Sequence, residues 1–291
     1  MKNIAIITGG DSDEYEISLK SAETVFKNID RSKFNPYVIE IKNNIWKLKV
    51  NNSYKVIDSE LKLTIDKEKI IFKDVFMALH GPPAENGELQ ILFEKQNINF
   101  TCCGSEISEL TFNKFKCNKV LKNLGFNIAK SILIKSENYT QEEILKQVDL
   151  PFIVKPNQAG SSNGISLVKN LSELKKATSL AFKHDNEVII EEYIDGTEVS
   201  CGVFKIKEEI ILLPITEIIS ENEIFDYEAK YNNKSKEITP ARISKTQTDE
   251  IHLISKKIYK QLNLRGTCRI DYIIKENKAY VIEINTIPGL S

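Results

Sequence analysis

The residues best placed to do chemistry in this sequence lie between Arg269 and Gly289. Arg269-Ile270-Asp271 opens one β-branched and aromatic run, Glu283-Ile284-Asn285 lies near the end of a second, and a short polar stretch separates them. This pattern predicts an antiparallel hairpin. Alternation along a strand puts Arg269 and Asp271 on one face, and Glu283 and Asn285 on one face. A loop centred on Asn277 sets Asp271 opposite Glu283 and Arg269 opposite Asn285. Carboxylates directly opposite one another repel. A hard divalent cation between them reverses that sign, with the Asn285 amide oxygen as a further ligand. So few protein ligands suit Mg²⁺ (or Mn²⁺ in its place), which keeps waters and substrate phosphates in its other positions. Thr286-Ile287-Pro288-Gly289 then closes the strand where a phosphate site would need close backbone approach. A solvated face of ordinary charges is the plainer account and leaves that ending unexplained. The expectation is a nucleotide handled with a divalent cation.

A second phosphate signal lies upstream. Pro151-Phe152-Ile153-Val154-Lys155-Pro156 reads as a strand, and a lysine inside an apolar strand is costly unless paired. The small-residue loop after it, from Asn157 through Ala159-Gly160-Ser161-Ser162 to Gly164, leaves backbone N–H groups free to cradle phosphate. It is not a Walker A sequence, because no Gly-Lys-Ser/Thr follows. Lys114 sits on an amphipathic helix expected from about Phe112 to Leu124, where one lysine by itself is a solvated charge. Glu14 follows the opening strand and the pair Gly9-Gly10, at the strand mouth where α/β folds place ligands. Taken alone, it is a carboxylate stabilised by a helix N-terminus. His80 ends another apolar strand, in a loop that also carries Glu85; His184 and His252 fall in helical, solvent-facing patterns.

The elements that must position these residues follow from periodicity. Strands are expected over 2–8, 34–41, 75–79, 98–101, 151–156, 165–168, 187–192, 196–205 and 209–219, with edge hairpins in 45–73. Helices are expected after Glu14 (apolar at Ile17, Ala22, Val25 and Phe26) and over 88–97, 172–183 and 245–262. Residues 220–240 break pattern, and a polar loop of that length carrying Phe225, Tyr227 and Tyr231 reads as an active-site lid. With 291 residues, 41% hydrophobic and 28% charged, the chain suits a globular protein of two or three subdomains. A net charge of −1 with dispersed lysines offers no basic stripe for nucleic acid and no polybasic membrane patch. The apolar start is too short for a signal-peptide core, and no run is long enough to span a bilayer. Five cysteines without metal spacing point to a reducing, cytoplasmic setting, with Cys102-Cys103 as buried packing residues.

Assembled in order, these motifs resemble the D-alanine–D-alanine ligases of the ATP-grasp superfamily. Gly9-Gly10, Glu14 and Ile17-Ser18-Leu19 resemble the family's N-terminal substrate loop, and His80-Gly81, Glu85 and Gly87 its second loop. Lys155-Pro156, Gly160-Ser161-Ser162 and Gly164 resemble its phosphate-cradling loop, and Tyr227-Glu228-Ala229-Lys230-Tyr231 its lid. Arg269-Ile270-Asp271, Glu283-Ile284-Asn285-Thr286 and Pro288-Gly289 resemble its metal centre. Any one motif is weak; six in order over the whole chain are specific.

The resemblance implies an α/β (α+β) ATP-grasp fold with a parallel-sheet substrate domain (1–104), a central subdomain (105–186) and a C-terminal subdomain (187–291). It implies ATP-dependent joining of two D-alanine molecules through an acyl phosphate, by a homodimer. Asp271, Glu283 and Asn285 would hold Mg²⁺; Lys114, Lys155, Ser162 and Lys230 would serve the phosphates; Glu191 and Glu198 would take the adenine and ribose. Glu14 would pair with the first D-alanine's ammonium beside Ser161 and Tyr231, with His80 and Glu85 lining that pocket. Arg269 and the Gly289 N–H would stabilise the oxyanion. Three departures stand out: Ala84 where the family commonly has glycine, Asn86 for a common aspartate, and a sequence ending at Ser291 where relatives continue with a Ser-Leu-type pair and a helix. The last leads to an expected weakening of the second substrate's carboxylate anchor. Two alternatives stay open: an ATP-grasp ligase for another amino or hydroxy acid pair, and a degenerate nucleotide-binding protein.

Overall fold

The computed structural model describes residues 1–50, 53–65, 68–160, 163–220 and 235–290. The chain forms two compact units. The first comprises Met1–Glu109, Arg265–Cys268 and Thr286–Ser291; the second comprises Leu110–Leu264 and Arg269–Asn285.

The first unit is built on a six-stranded sheet. Strands β1 (Lys2–Gly9), β2 (Phe34–Lys42), β3 (Ile45–Val50), β4 (Ser53–Ile57), β7 (Asp74–Met77) and β8 (Asn99–Phe100) lie in the order β4-β3-β2-β1-β7-β8. β5 (Lys62–Ile65) and β6 (Glu68–Ile71) form a separate hairpin. The β1–β2, β1–β7 and β7–β8 pairs are parallel, and β3 and β4 extend the edge antiparallel. β1 is central, so its Ile4 to Ile7 run is buried without alternation, as a strand covered on both faces requires. Gly9 ends it at φ +98, and a Cβ there would stand 2.3 Å from the Ile41 carbonyl oxygen, so only glycine lets the chain turn out of the sheet. Helices α1 (Tyr15–Asn28) and α2 (Glu88–Lys95) complete the unit, with α3 (Ser105–Phe112) as far as Glu109. Ile287 of the returning segment joins its core, together with Leu79, Ala84 and Cys102.

The buried face of α1 differs from the apolar one expected. It consists of Ser18, Ser21 and Ala22, while Phe26 is exposed. The two serines are buried because they bond to the loop after β7, as described below.

The second unit holds two sheets. One is antiparallel, in the order β11 (Ser166–Val168), β10 (Phe152–Pro156), β12 (Val188–Glu192), β9 (Ser131–Ile134). The helices α4 (Lys114–Asn123), α5 (Gln141–Leu145) and α6 (Leu171–Ala181) belong to the same stretch. Its core gathers Phe152, Val154, Val168, Leu174, Val188 and Ile190. The other sheet runs β16 (Ser235–Ile238), β15 (Thr216–Ser220), β13 (Thr197–Ile206), β17 (Cys268–Lys275), β18 (Lys278–Asn285), with β14 (Glu209–Leu212) also on β13. Helix α7 (Lys245–Gln261) opens on a capping box, in which Ser244 and Gln247 satisfy each other's backbone N–H groups.

The helix expected from about Phe112 to Leu124 is α4, and a separate helix, α3, ends just before it. Asn113 divides the two: its Oδ1 accepts from the Lys116 N–H at 3.0 Å, so α4 starts afresh there. Lys114 therefore stands at the first turn of a capped helix and not on a continuous solvated face.

Candidate active site

The β17–β18 hairpin carries the cation candidates, in the expected register. Asp271 is the partner of Glu283, and Arg269 of Asn285. The loop is not centred on Asn277, however. Glu276 and Asn277 form a two-residue turn at φ 49 and 62, with Lys275 opposite Lys278. A regular ladder from that turn would set Asp271 opposite Ile282 and point Glu283 to the core side with Val281. The register slips between Asp271 and Tyr272, leaving Ile282 unpaired. This bulge re-aims the strand beyond it. Val281 and Ile284 are buried on one side, and Glu283 and Asn285 share the other with Arg269 and Asp271.

The two carboxylates do not simply repel. Arg269 donates from Nε and NH2 to the two Asp271 oxygens at 2.8 and 2.7 Å. Asn285 Nδ2 lies 3.1 Å from Asp271 Oδ2 and 3.3 Å from Glu283 Oε1. An amide N–H, the positive end of a dipole, thus sits at the point both carboxylates share. Turning that amide over presents an oxygen there instead. Two carboxylates and an amide oxygen around one point are a donor set that fits a hard divalent cation. Among the described residues no group of three or more His, Cys, Asp or Glu side chains forms a cation site.

Lys114 reaches the same region of this unit. Lys114 Nζ donates to the Ala159 carbonyl at 2.8 Å and lies 4.0 Å from Glu283 Oε2. It therefore joins the small-residue loop to the hairpin. Asn157, which the sequence reading passed over, makes this possible: fully buried, it accepts from the Phe115 N–H at 2.9 Å and from the Lys114 N–H at 3.2 Å, and donates to Glu187 at 2.8 Å. Its type at the first position after a Lys-Pro strand end was the available clue. Burial pushes the neighbouring Cys117 thiol up to about 12, so it is no nucleophile.

Lys155 is paired, as its apolar strand requires. It donates to Glu191 on the adjacent strand β12, and both side chains are buried. Two residues assigned from the family resemblance to different parts of a nucleotide are here each other's partner. Glu198 stands half-buried at the start of β13, opposite Ile218. Ser161, Ser162, Lys230 and Tyr231 lie outside the described residues, as does most of the expected lid; the strands on either side of it pair, with Ser220 opposite Ser235.

The first unit gathers the remaining candidates at the mouth of β1. Glu14 Oε2 is buried with no hydrogen-bond partner among the described residues. Gly81 lies against it: at φ +71, a Cβ there would meet Ser12 Oγ at 2.4 Å and Glu14 Oε2 at 3.3 Å. An orphaned buried carboxylate oxygen at a strand mouth fits a cationic ligand group. Tyr15 steadies the helix start, its hydroxyl donating to Glu40 at 2.8 Å; burial and then the Glu40 carboxylate push its pKa up to about 12. His80 is buried and bonds to Ser21 and to the Ile287 carbonyl. Glu85 is half-buried, one turn before α2. Ala84 is wholly buried, its carbonyl accepting from Gln90, and Asn86 bonds to Glu88 at the start of α2. Both departures thus serve the local packing. The space around Gly289 is open on the protein side, since a Cβ there would meet nothing within 4 Å.

Comparison with known proteins agrees with this arrangement. The family profiles described as D-ala D-ala ligase N-terminus and C-terminus match residues 3–103 and 120–291. The chain is 47% identical to a D-alanine–D-alanine ligase of Flavobacterium johnsoniae, over 100% of this chain and 91% of that one. Among solved structures it resembles the VanG D-Ala:D-Ser ligase from Enterococcus faecalis, with TM-score 0.87, 34% identity, and 99% of this chain and 91% of that chain covered. It also resembles a D-alanine–D-alanine ligase from Bacillus anthracis complexed with ATP, with TM-score 0.79, 25% identity, and 100% and 88% covered. With both profiles matched in order, the motifs in place and the fold shared, the chain belongs to the D-alanine–D-alanine ligase family.

Proposed function

We propose that this chain joins two D-alanine molecules into D-alanyl-D-alanine at the expense of ATP, as a step toward peptidoglycan. The observation that carries the reading is the match over the whole of this chain to a D-alanine–D-alanine ligase, supported by a fold that brings Lys114 beside the carboxylates of the hairpin. A carboxylate is a poor acyl donor, because oxide is a poor leaving group. In the reaction we infer, one carboxylate oxygen of the first D-alanine attacks the γ-phosphorus of ATP and ADP departs. The amine of the second D-alanine then attacks the acyl carbon, phosphate leaves, and the ammonium proton is lost.

The protein's part is positioning and charge. Lys114 and Lys155 serve the phosphates with the 157–164 loop, including Ser162; Lys155 exchanges Glu191 for a phosphate oxygen as Glu191 turns to the adenine. Glu198 takes the ribose. Asp271, Glu283 and Asn285 would hold Mg²⁺, which supplies charge neutralisation at the phosphoryl group when bound. Glu14 receives the first D-alanine's ammonium, supported by its orphaned oxygen, with Ser161, Tyr231, Glu85 and His80 around the pocket. Lys230 completes the phosphate contacts, and Arg269 with the Gly289 N–H faces the oxyanion. We read residues 1–104 as the acid-substrate domain, and 105–186 and 187–291 as the ATP-grasp halves; the two separate sheets of the second unit support that division. We place the chain in the cytoplasm, where its five free cysteines are at home, and as a homodimer on the family resemblance alone. No helix among the described residues is long and apolar enough to cross a membrane.

The likeness to a D-Ala:D-Ser ligase keeps D-serine as a second acceptor to examine. The test is ATP-dependent phosphate release, screened over D- and L-amino acids and D-lactate with product identification. D-Alanine alone should support turnover, with D-alanyl-D-alanine formed; a preference for D-serine or D-lactate as acceptor would replace this reading.

A further inference from the structure

Helix α1 buries hydroxyls where an amphipathic helix buries hydrocarbon. Ser18 and Ser21 are 0% exposed, and His80, which they face, is 4% exposed. Ser18 Oγ donates to the Glu14 carbonyl at 3.1 Å and accepts from the His80 N–H at 2.9 Å. The ring of His80 has its own two bonds. Nδ1 lies 2.9 Å from the Ile287 carbonyl oxygen, which can only accept, so Nδ1 carries the proton. Nε2 of the neutral ring is then an acceptor, and Ser21 Oγ, 2.9 Å away, donates to it. With its hydrogen so used, Ser21 Oγ accepts from the Leu290 N–H at 3.2 Å.

These bonds form a directed chain: Leu290 N–H to Ser21, Ser21 O–H to His80, His80 Nδ1–H to the Ile287 carbonyl. It begins and ends on one short segment and brackets Pro288 and Gly289. Ile287 is itself anchored in the core of the same unit, so the segment is held at a side chain, a carbonyl and an N–H. Only a group that donates and accepts at once can occupy the middle of this chain. Alanine would match serine closely in bulk, yet it would remove the partner shared by the Leu290 N–H and His80 Nε2.

We infer that Ser21 is a positioning residue, which acts through His80 and Leu290 to set the direction of the Gly289 N–H. The inference rests on the proposed role of that N–H toward the oxyanion. It also changes the part of His80: both ring nitrogens bond within the chain, so its imidazole serves the C-terminal segment before it serves a substrate.

The experiment compares the full chain with Ser21→Ala and with Ser21→Thr, which keeps the hydroxyl. The oxyanion forms when the amine attacks, after phosphoryl transfer. Dipeptide formation should therefore fall about tenfold or more in Ser21→Ala. Positional exchange of ¹⁸O within ATP, which reports reversible acyl-phosphate formation, should change about twofold at most. The ratio of exchange to dipeptide rises, and Ser21→Thr restores it. An unchanged ratio, or exchange and dipeptide falling together, overturns the proposal. Two readouts need no turnover. In the unsubstituted chain ¹⁵N shifts should show His80 neutral with Nδ1 protonated, and the Leu290 amide should exchange slowly and lose that protection in Ser21→Ala. A proton on Nε2, or equal exchange in both chains, overturns the bond chain itself. Absence of both exchange and dipeptide in the unsubstituted chain would strike the functional reading, and the tautomer and amide readouts then judge Ser21 alone.

Discussion

Arg269 closes on both oxygens of the Asp271 carboxylate, two residues along the same strand. The charge expected to repel Glu283 is therefore largely balanced before any cation arrives. This bears on how the hairpin responds to substitution. Removing a carboxylate from a bare pair would relieve repulsion, but Asp271→Asn also strips Arg269 of one charged acceptor.

The first prediction separates the two carboxylates. Asp271→Asn should lower stability by about 1.5–3 kcal/mol, the range for hydrogen bonds to charged groups. Glu283→Gln should cost less, since it relieves the like charge opposite Asp271, keeps an oxygen for Asn285 and loosens the approach of Lys114 at 4.0 Å. Both should abolish Mg²⁺-dependent ATP turnover. Urea unfolding alongside phosphate release measures this; a stabilised Asp271→Asn would show that Arg269 does not balance the charge.

The second prediction concerns Lys155 and Glu191, whose side chains are 6% and 9% exposed. Breaking a buried pair from one side leaves an uncompensated charge and costs about 3–5 kcal/mol. Lys155→Met and Glu191→Leu should each be strongly destabilising, and the double variant markedly less so than their sum. ATP binding is lost in all three. A double-mutant cycle that is additive within about 0.5 kcal/mol would mean the pair is not formed in solution.

Much of this was legible in the sequence because it depends on local pattern. Alternation in the two runs around Asn277 was enough to pair Asp271 with Glu283, and an apolar strand around Lys155 was enough to require a partner. The pairing of Asp271 was nevertheless reached through a loop centre that the structure does not have. A tighter turn and an unpaired Ile282 give the same register, and a bulge leaves little trace in composition. Ser21 was invisible for a related reason. Its burial is set by a loop and a segment far along the chain, so an amphipathic reading of α1 picked Ile17, Ala22, Val25 and Phe26, of which Ala22 is buried. The break at Asn113 was readable in principle, since a lone asparagine ahead of a lysine-rich run is a cap.

The third prediction addresses the cysteines. All five are free and buried, and Cys103 and Cys268 lie with sulfurs 3.8 Å apart. The hydrogen bond between them pushes the Cys268 thiol well up and lowers that of Cys103, while burial pushes Cys102 up to about 12. Burial is what keeps a reagent from all of them. A bulky aromatic disulfide reagent should label none of the five in the folded chain within minutes and all five in urea. Rapid native labelling of Cys102 or Cys103 would show that this side of the first unit opens readily.

The fourth prediction is a pH dependence at the base of the β15–β16 pair. Glu217 on β15 lies opposite Ile238 on β16 and accepts from Arg242 Nε and NH2 at 2.8 Å each and from the Arg242 N–H at 3.1 Å. The guanidinium holds its carboxyl below the ordinary value of 4.5, against the opposing effect of burial. The folded pKa is thus depressed, so the stabilisation is fully present above the unfolded value. It is lost as pH falls through the folded one. Ion pairs elsewhere titrate over the same window, so the informative quantity is a difference. Glu217→Gln keeps the shape but cannot ionise. It should melt below the unsubstituted chain at pH 7, and the two melting temperatures should converge as pH drops from about 5 toward about 3. Thermal melts across that range measure it, with 1 M salt as a second axis: Arg242 is 62% exposed, and screening should narrow the gap at pH 7. A gap that stays constant from pH 7 to pH 3 would mean Glu217 contributes through packing and not through its charge.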